Sequence, residues 1–368
     1  MARAGNSGAG LPCAYLIRYC SLIRNLHRGL FIKAQYCANE RAIAMKHMCK
    51  YIAKRIALML FVCFIIMTIC FVMIRMLPDQ LPRGNGDQAA AVLAMRKAWG
   101  YDEPILTQYV IFLKNVLTKW DWGFCTNVGT FLNPVTSHIA QKLPPTIAVN
   151  LCAMIVSIPL GLIFGIYAAL KKNKWQDHVI SVVIMLFISV PAYVYAFVVQ
   201  YFLGFKLGWF PIVVNAGTNY LDLAMLKSMV LPIMAMSFGT IASLMRAVRA
   251  ELTETLTSDY MLLARTKGLT RRQATLRHAL RNSMVPIMPM IVGQFVAVLS
   301  GSLIIEKIFG IPGIGSTYIS SILERDYALF LAVSMFYTVI SLVATLVIDV
   351  SYGLVDPRIR MGGGKSND

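Results

Sequence analysis

Six long runs of apolar residues constrain this chain more than any other feature of its sequence. A helix of roughly 20 apolar residues crosses the hydrocarbon core of a bilayer. Because lipid offers the backbone no hydrogen-bond partner, runs of this length without period-two alternation fold as helices. The sequence therefore predicts an all-α, polytopic membrane protein with six transmembrane helices. The six runs are residues 56–77, 146–170, 179–203, 229–248, 285–305 and 329–352.

Charge is scarce in this chain, and it is placed at the ends of the apolar runs. Only 14% of the 368 residues are charged, against about a quarter in a soluble domain. The net charge is +18, and residues 246–284 alone carry eight Lys or Arg against three acids. By the positive-inside rule both termini are cytoplasmic and residues 78–145 lie outside, where residues 89–119 form one or two short helices near the outer surface. No soluble basic face is available for nucleic acid.

The apolar runs also divide the chain. We expect residues 1–47 to be a dispensable extension or the result of a misplaced start, since Met48 opens a basic stretch that leads into the first run. Residues 48–145 would hold the first transmembrane helix and an extracytoplasmic loop, and residues 146–361 a core of five transmembrane helices. Residues 362–368 would form a flexible tail.

Residues that could perform chemistry are isolated from one another. The tail ends in Gly-Gly-Gly-Lys-Ser, but Ile359 stands where a phosphate-binding loop needs its first glycine. The eight cysteines form no Cys-x-x-Cys pair, and no two histidines stand at a metal-binding helical spacing. A membrane hydrolase would need a nucleophile and a base at membrane depth. We therefore predict no enzyme activity and no catalytic, cofactor-binding or metal-binding residues.

One segment between the fourth and fifth runs has a helical pattern of its own. Residues 251–266 are predicted to form a helix, which Gly268 would end because glycine accepts a positive φ. An amphipathic helix between arginines is a lever that a partner can grip, although an ordinary positively charged loop is the alternative. The apolar residues of its predicted face are Leu252, Leu256, Tyr260 and Leu263.

This loop also carries a recognisable motif. Its runs are Asp259-Tyr260, Ala264-Arg265-Thr266-Lys267-Gly268-Leu269 and Arg277-His278-Ala279-Leu280-Arg281-Asn282, followed by Pro286. With these runs the chain resembles the permease subunits of binding-protein-dependent ABC importers, in the branch for dipeptides, oligopeptides and nickel chelates. Ala264 and Gly268 match the motif of the wider class. Leu262 and Leu263 replace its Glu-Ala, and its later proline is absent, as in the peptide branch.

Further matches extend the resemblance from about Met48 to Met361. Individually these motifs are weak, but they occur in the expected order on consistent sides of six runs. They are Leu143-Pro144-Pro145-Thr146, Ser189-Val190-Pro191, Gly208-Trp209-Phe210-Pro211, the run from Glu306 to Gly315, and Tyr352-Gly353-Leu354-Val355-Asp356-Pro357-Arg358.

The resemblance implies a fold, a location and partners. The fold would be the type I (MetI-like) transmembrane domain, in a bacterial plasma membrane. The partners would be a second homologous permease, two cytoplasmic ATP-binding subunits, an extracytoplasmic substrate-binding protein and the peptide itself. ATP would bind to the partner subunits, so the chain would need no cofactor. The coupling helix to the ATPase would include Glu251, Asp259, Tyr260, Leu263, Ala264, Arg265, Lys267 and Gly268.

Several alternatives stay open at this point. Dipeptides or oligopeptides are the expected cargo, with nickel or glutathione as alternatives within the same importer class. A stand-alone secondary transporter would require an internal repeat and intramembrane charges, which the sequence lacks. The motif Gly161-x-x-x-Gly165 predicts close helix packing within the subunit, or else at the interface between permeases. Polar residues that line the translocation path, or instead bond between helices, are Asn150, Gln200, Ser237, Thr240, Ser243 and Gln294.

Overall fold

The computed structural model describes residues 50–77, 86–215, 217, 219–220 and 222–355. The chain divides into two compact units, Leu58–Met361 and Met1–Ala57 with Gly362–Asp368. Of the second unit only residues 50–57, the start of the first helix, are described. The predicted extension 1–47 and the predicted tail 362–368 lie outside the described residues.

Within the described residues the secondary structure is helical, apart from an isolated antiparallel bridge between Phe124 and Pro134. This confirms the all-α prediction. The helices are α1 (Lys50–Arg75), α2 (Gly86–Ala98), α3 (Ile105–Lys119), α4 (Val135–Leu170), α5 (Trp175–Ser189), α6 (Ala192–Val199), α7 (Leu223–Leu256), α8 (Asp259–Thr266), α9 (Arg271–Ala274), α10 (Leu280–Ala297), α11 (Leu303–Ile308), α12 (Ile314–Leu323) and α13 (Tyr327–Val355). Two π-helical segments, Gln200–Lys206 and Thr275–Ala279, follow α6 and α9.

Four described helices, α1, α4, α7 and α13, are long and apolar enough to cross a membrane. A fifth span results if α5 and the continuous helix Ala192–Lys206 are taken together as one bent segment. The predicted segment 285–305 falls on α10 and the start of α11, and α10 has 18 residues with the polar pair Arg281-Asn282 in its first turn. The structure thus supplies up to five of the six predicted spans, and the sixth stays a prediction.

The third predicted segment, 179–203, is bent rather than straight. Its two halves meet at an angle of 103° next to Pro191. Val190 is held in an extended conformation, with φ −92° and ψ 128°, because the ring of a following proline disfavours helical geometry. In contrast, α4, α7 and α10 continue through Pro159, Pro232 and Pro286.

The centre of the fold is the close contact between α4 and α7. A Cβ atom added at Gly161 would lie 2.7 Å from Cβ of Leu244, and one added at Gly165 would lie 2.7 Å from Cβ of Val248. Only residues without a side chain permit this approach. The small-residue motif of α4 therefore serves packing within the subunit, as predicted.

The predicted helices between residues 89 and 119 are α2 and α3. Helix α3 and Trp99, the residue after α2, pack with the end of α1 and the start of α13 in a cluster that includes Phe71, Phe112 and Leu331. Asp326 holds the loop that follows α3. Its buried carboxylate accepts hydrogen bonds from the backbone N–H groups of Thr126 at 2.7 Å and Asn127 at 2.9 Å.

A buried carboxylate joins α11 to two other elements. Glu306 accepts hydrogen bonds from the hydroxyl of Thr146 on α4 at 3.0 Å and from the backbone N–H of Ser316 on α12 at 3.1 Å. A Cβ atom at Gly301 or Gly313 would collide with this carboxylate. Burial raises the pKa of Glu306 above its ordinary value of 4.5, although these donors act in the opposite direction.

Valine at Gly161 or Gly165 should destabilise the subunit, since its branched side chain would push α7 away from α4. Overpacking of this kind costs about 1–3 kcal/mol. We expect a lower melting temperature in detergent for either variant. Ile163→Val, on the exposed side of the same helix, is the matched control and should melt like the native protein. Native-like melting of Gly161→Val and Gly165→Val would contradict the close contact.

Glu306 should make the stability of the subunit depend on pH. A group whose pKa is higher in the folded state stabilises the fold at low pH, and this contribution is lost as the pH rises above 4.5 through the folded pKa. We expect the melting temperature of the native protein to fall over this range and that of Glu306→Gln to change less. Glu324→Gln, which removes an exposed carboxylate, should keep the native slope. Equal slopes for Glu306→Gln and the native protein would refute this role of Glu306.

Candidate functional site

The predicted helix 251–266 is interrupted in the structure. Helix α7 continues to Leu256, so Glu251 belongs to it, and α8 begins at Asp259. At the break the hydroxyls of Thr257 and Ser258 donate to the carbonyls of Glu254 at 2.9 Å and Thr255 at 2.6 Å. Such local bonds from side chain to backbone compete with helix continuation. The predicted single helix 251–266 is thus wrong: its first part belongs to α7, and α8 is a separate helix.

The break also changes which residues share a face. Leu252 is fully buried, whereas Tyr260 and Leu263 are exposed, so the four apolar residues predicted for one face do not lie together. The buried face of α8 consists of Met261 and Ala264. Sequence reasoning missed Met261, because the predicted period of the apolar residues ran unbroken through the turn.

Helix α8 ends as predicted, at a glycine. Gly268 has φ +87°, and its N–H donates to the carbonyl of Arg265 at 3.0 Å. The N–H of Leu269 donates to the carbonyl of Ala264 at 3.3 Å, which completes a Schellman motif. A Cβ atom at Gly268 would meet no atom within 4 Å, so the backbone conformation alone selects glycine here.

The other side of α8 carries apolar side chains in contact with solvent. Tyr260, Leu262 and Leu263 are exposed by 39%, 64% and 55%. Charged residues surround them. We call Asp259, Tyr260, Leu262, Leu263, Arg265 and Lys267 the α8 surface; all six are exposed. Exposed apolar residues with a charged rim are typical of a protein–protein interface. Leu262 was not among the predicted coupling residues, and Ala264, which was, points inward.

The base of α8 is packed against three other elements. Met261 and Ala264 form a buried cluster with Ala169 at the end of α4, Leu252 on α7 and Ala279 at the start of α10. These are mostly small side chains, so the helices come close to one another. A displacement of α8 would therefore act directly on the ends of α4, α7 and α10.

An ion pair holds the same end of α7 to α5. The guanidinium of Arg249 donates to both carboxylate oxygens of Asp177, at 2.5 Å and 2.8 Å. Asp177 is buried and also accepts the N–H of Asn173 at 3.0 Å. No pattern in the sequence indicates that these two residues pair, because 72 positions separate them.

The candidate path-lining residues fall into two groups. Three of them bond to backbone carbonyls: Asn150 to Thr146 at 2.8 Å, Gln200 to Ile212 and Ile308 at 3.0 and 3.1 Å, and Ser237 to Ala153 at 3.2 Å. The buried Ser237 joins α7 to α4, which fits the alternative of a bond between helices. The remaining three are partly buried or exposed: Thr240, Ser243 and Gln294.

Among the described residues no group of three or more His, Cys, Asp or Glu side chains could hold a metal ion. The described cysteines, Cys63, Cys70, Cys125 and Cys152, are free thiols. What the described geometry offers is the exposed α8 surface.

Comparison with known proteins identifies the class of membrane protein to which this architecture belongs. Residues 161–361 match the family described as the inner membrane component of binding-protein-dependent transport systems, and residues 48–150 match its N-terminal part. The chain is 37% identical to a dipeptide transport system permease of Lactococcus lactis, over 85% of this chain and all of that protein.

Two further relatives carry similar names. A dipeptide transport system permease of Bacillus subtilis is 30% identical over 85% of this chain and 99% of its own length. An oligopeptide transport system permease of Escherichia coli is 32% identical over 85% of this chain and its whole length. These relatives are permease components and not enzymes. The chain belongs to the family of inner membrane components of binding-protein-dependent transport systems.

Proposed function

We propose that this permease conducts dipeptides or oligopeptides inward through a path that it shares with a second, homologous permease. The similarity to dipeptide and oligopeptide permeases over 85% of the chain carries the proposal. Membership of the family implies ATPase and substrate-binding partners. In our proposal two ATP-binding subunits supply the energy, a substrate-binding protein delivers the peptide from outside, and the chain itself holds no cofactor.

The α8 surface is the site proposed for contact with an ATPase subunit. It offers three apolar side chains at the centre and charges of both signs at the rim, a pattern that suits a groove on a folded partner. The end of α8 and the start of α9 are both held by hydrogen bonds, which favours a rigid contact. The Schellman motif ends α8, and a capping box of Thr270 and Gln273 begins α9.

The distribution of charge indicates the side of the membrane on which α8 lies. The segment after α7 carries Arg265, Lys267, Arg271, Arg272 and Arg277 and is the most basic short connection in the described part of the chain. The positive-inside rule puts such a connection in the cytoplasm, together with both termini. ATP would therefore be hydrolysed on the side where α8 protrudes.

Motion of α8 would reach the path through helix packing. The buried cluster under α8 contacts α4, α7 and α10, and α7 in turn lies against α4 along Gly161 and Gly165. Close-packed helices move as units instead of deforming. Closure of the ATPases would then switch the bundle between two arrangements, one open to each side.

Aspartate at both Leu262 and Leu263 should detach the ATPase without unfolding the permease. Both side chains are exposed, so the fold loses little, whereas burying a leucine at an interface contributes about 1.5–3 kcal/mol. We expect the double variant to reach the membrane at native abundance, to co-purify with at least tenfold less ATPase and to lose peptide uptake. Leu323→Asp, at an exposed leucine of α12, is the control and should keep both. Native ATPase recovery in the double variant would contradict the assignment of the α8 surface.

Replacement of Gly268 tests the backbone conformation at the end of α8 without removing a side-chain contact. Valine at φ +87° is strained by about 1–2 kcal/mol, whereas asparagine tolerates this conformation. We expect Gly268→Val to insert normally but to uncouple ATP hydrolysis from transport in proteoliposomes, and Gly268→Asn to remain largely coupled. Full coupling in Gly268→Val would show that the end of α8 does not need its present geometry.

A further inference from the structure

A cavity of about 110 Å³ lies where the end of α1 meets α2, α3 and the turn between α12 and α13. Its floor is aromatic and aliphatic, with Phe71 and Trp99 among the lining residues. Three arginines from distant parts of the chain also line it: Arg75 on α1, Arg96 on α2 and Arg325 before α13. The transport mechanism above does not use this cavity.

The charged side chains among the described lining residues are the three arginines. The guanidinium of Arg75 lies 3.7 Å from the ring centre of Tyr101, and that of Arg96 lies 5.3 Å from the same ring. A guanidinium stacked on a ring still presents its N–H edge to an acceptor. Within the described ranges Arg75 and Arg325 form no ion pair. An anion bound in the cavity would give the guanidinium groups of Arg75 and Arg325 a partner.

Apolar surfaces beside the cavity favour a position where hydrocarbon meets head groups. Arg75 is the last residue of α1, and only 6% of the residues in the most apolar stretch of α1 are buried, which leaves this stretch for lipid to cover. Helix α3 packs beside it: the hydroxyls of Tyr109 and Thr68 are 2.5 Å apart, and the rings of Phe112 and Phe71 are 5.1 Å apart. Thr68 is about 10 Å of helix rise inside the end of α1, so α3 reaches the boundary of the hydrocarbon.

The outer face of α3 supports this depth. Leu106, Val110 and Leu117 are spaced so that they form one stripe, and they are exposed by 80%, 63% and 77%. Lys114 stands beside the stripe, where its long side chain can reach water. Trp120 and Trp122 follow, and tryptophan is enriched at membrane interfaces. Lipid acyl chains are therefore the natural cover for this stripe.

We propose that the cavity binds the phosphate group of an anionic phospholipid. The guanidinium groups of Arg75 and Arg325 would contact the phosphate oxygens, and the apolar floor would hold the adjoining part of the lipid. A cavity of about 110 Å³ suits a phosphate-sized group and is well below the roughly 300–1,000 Å³ of pockets for larger ligands, which argues against a peptide. A bound lipid would join three segments that are far apart in the sequence.

The test compares lipid retention by the assembled importer. The complex is purified in detergent, offered dioleoyl-phosphatidylglycerol and dioleoyl-phosphatidylcholine in equal amounts, and examined by native mass spectrometry. We expect preferential retention of phosphatidylglycerol, reduced at least fivefold in the double variant Arg75→Gln, Arg325→Gln. Arg272→Gln, which removes an exposed arginine on α9, is the matched control and should retain the lipid like the native complex.

Two competitors separate the sources of the anion. Excess inorganic phosphate or an acidic dipeptide should leave phosphatidylglycerol bound, and displacement by either would overturn the lipid assignment. Unchanged retention in the double variant would also overturn it. If that variant does not assemble, a photoreactive phosphatidylglycerol applied to the native complex decides the matter: crosslinks should fall on α1, α2 or the α12–α13 turn, and labelling only elsewhere would refute the site.

Discussion

The close contact between α4 and α7 is the interaction on which the other features of this subunit depend. Gly161 and Gly165 allow α7 to lie directly against α4, with Leu244 and Val248 in the space that side chains would fill. Helix α7 then continues beyond this contact to Leu256, and the turn into α8 follows directly. Without this contact the helices that support α8 would be less rigid. A force on the α8 surface would then deform them locally instead of moving them together.

Side-chain contacts hold both α8 and the connecting segments of the subunit. Met261 and Ala264 hold the α8 surface, and the ion pair of Asp177 and Arg249 holds the same end of α7 to α5. Glu306 and Asp326 hold connecting segments by accepting hydrogen bonds from backbone N–H groups. These contacts hold both regions firmly, as our proposal that the subunit transmits movement from α8 requires.

Much of this could be predicted from the sequence, because long apolar runs and a positive-φ glycine depend on local physics. The helical class, the packing role of Gly161 and the end of α8 at Gly268 are of this kind. The break at Ser258 was missed because apolar residues kept a helical period across it. Sequence alone does not show that Pro191, and not Pro159 or Pro232, bends its helix, because proline interrupts some helices and not others. The partners of Asp177 and Glu306 are distant in sequence, and only the folded chain brings them together.

Photo-crosslinking from α8 tests the central claim most directly. A photoreactive amino acid at position 260, in place of the exposed Tyr260, is activated in membranes that contain the whole importer. Our account predicts one dominant crosslinked product, which joins α8 to a subunit that binds and hydrolyses ATP. The yield of this product should change when ATP is held bound in that subunit. Crosslinks only to lipid or to the companion permease would contradict the account, because α8 would then not contact an ATPase subunit.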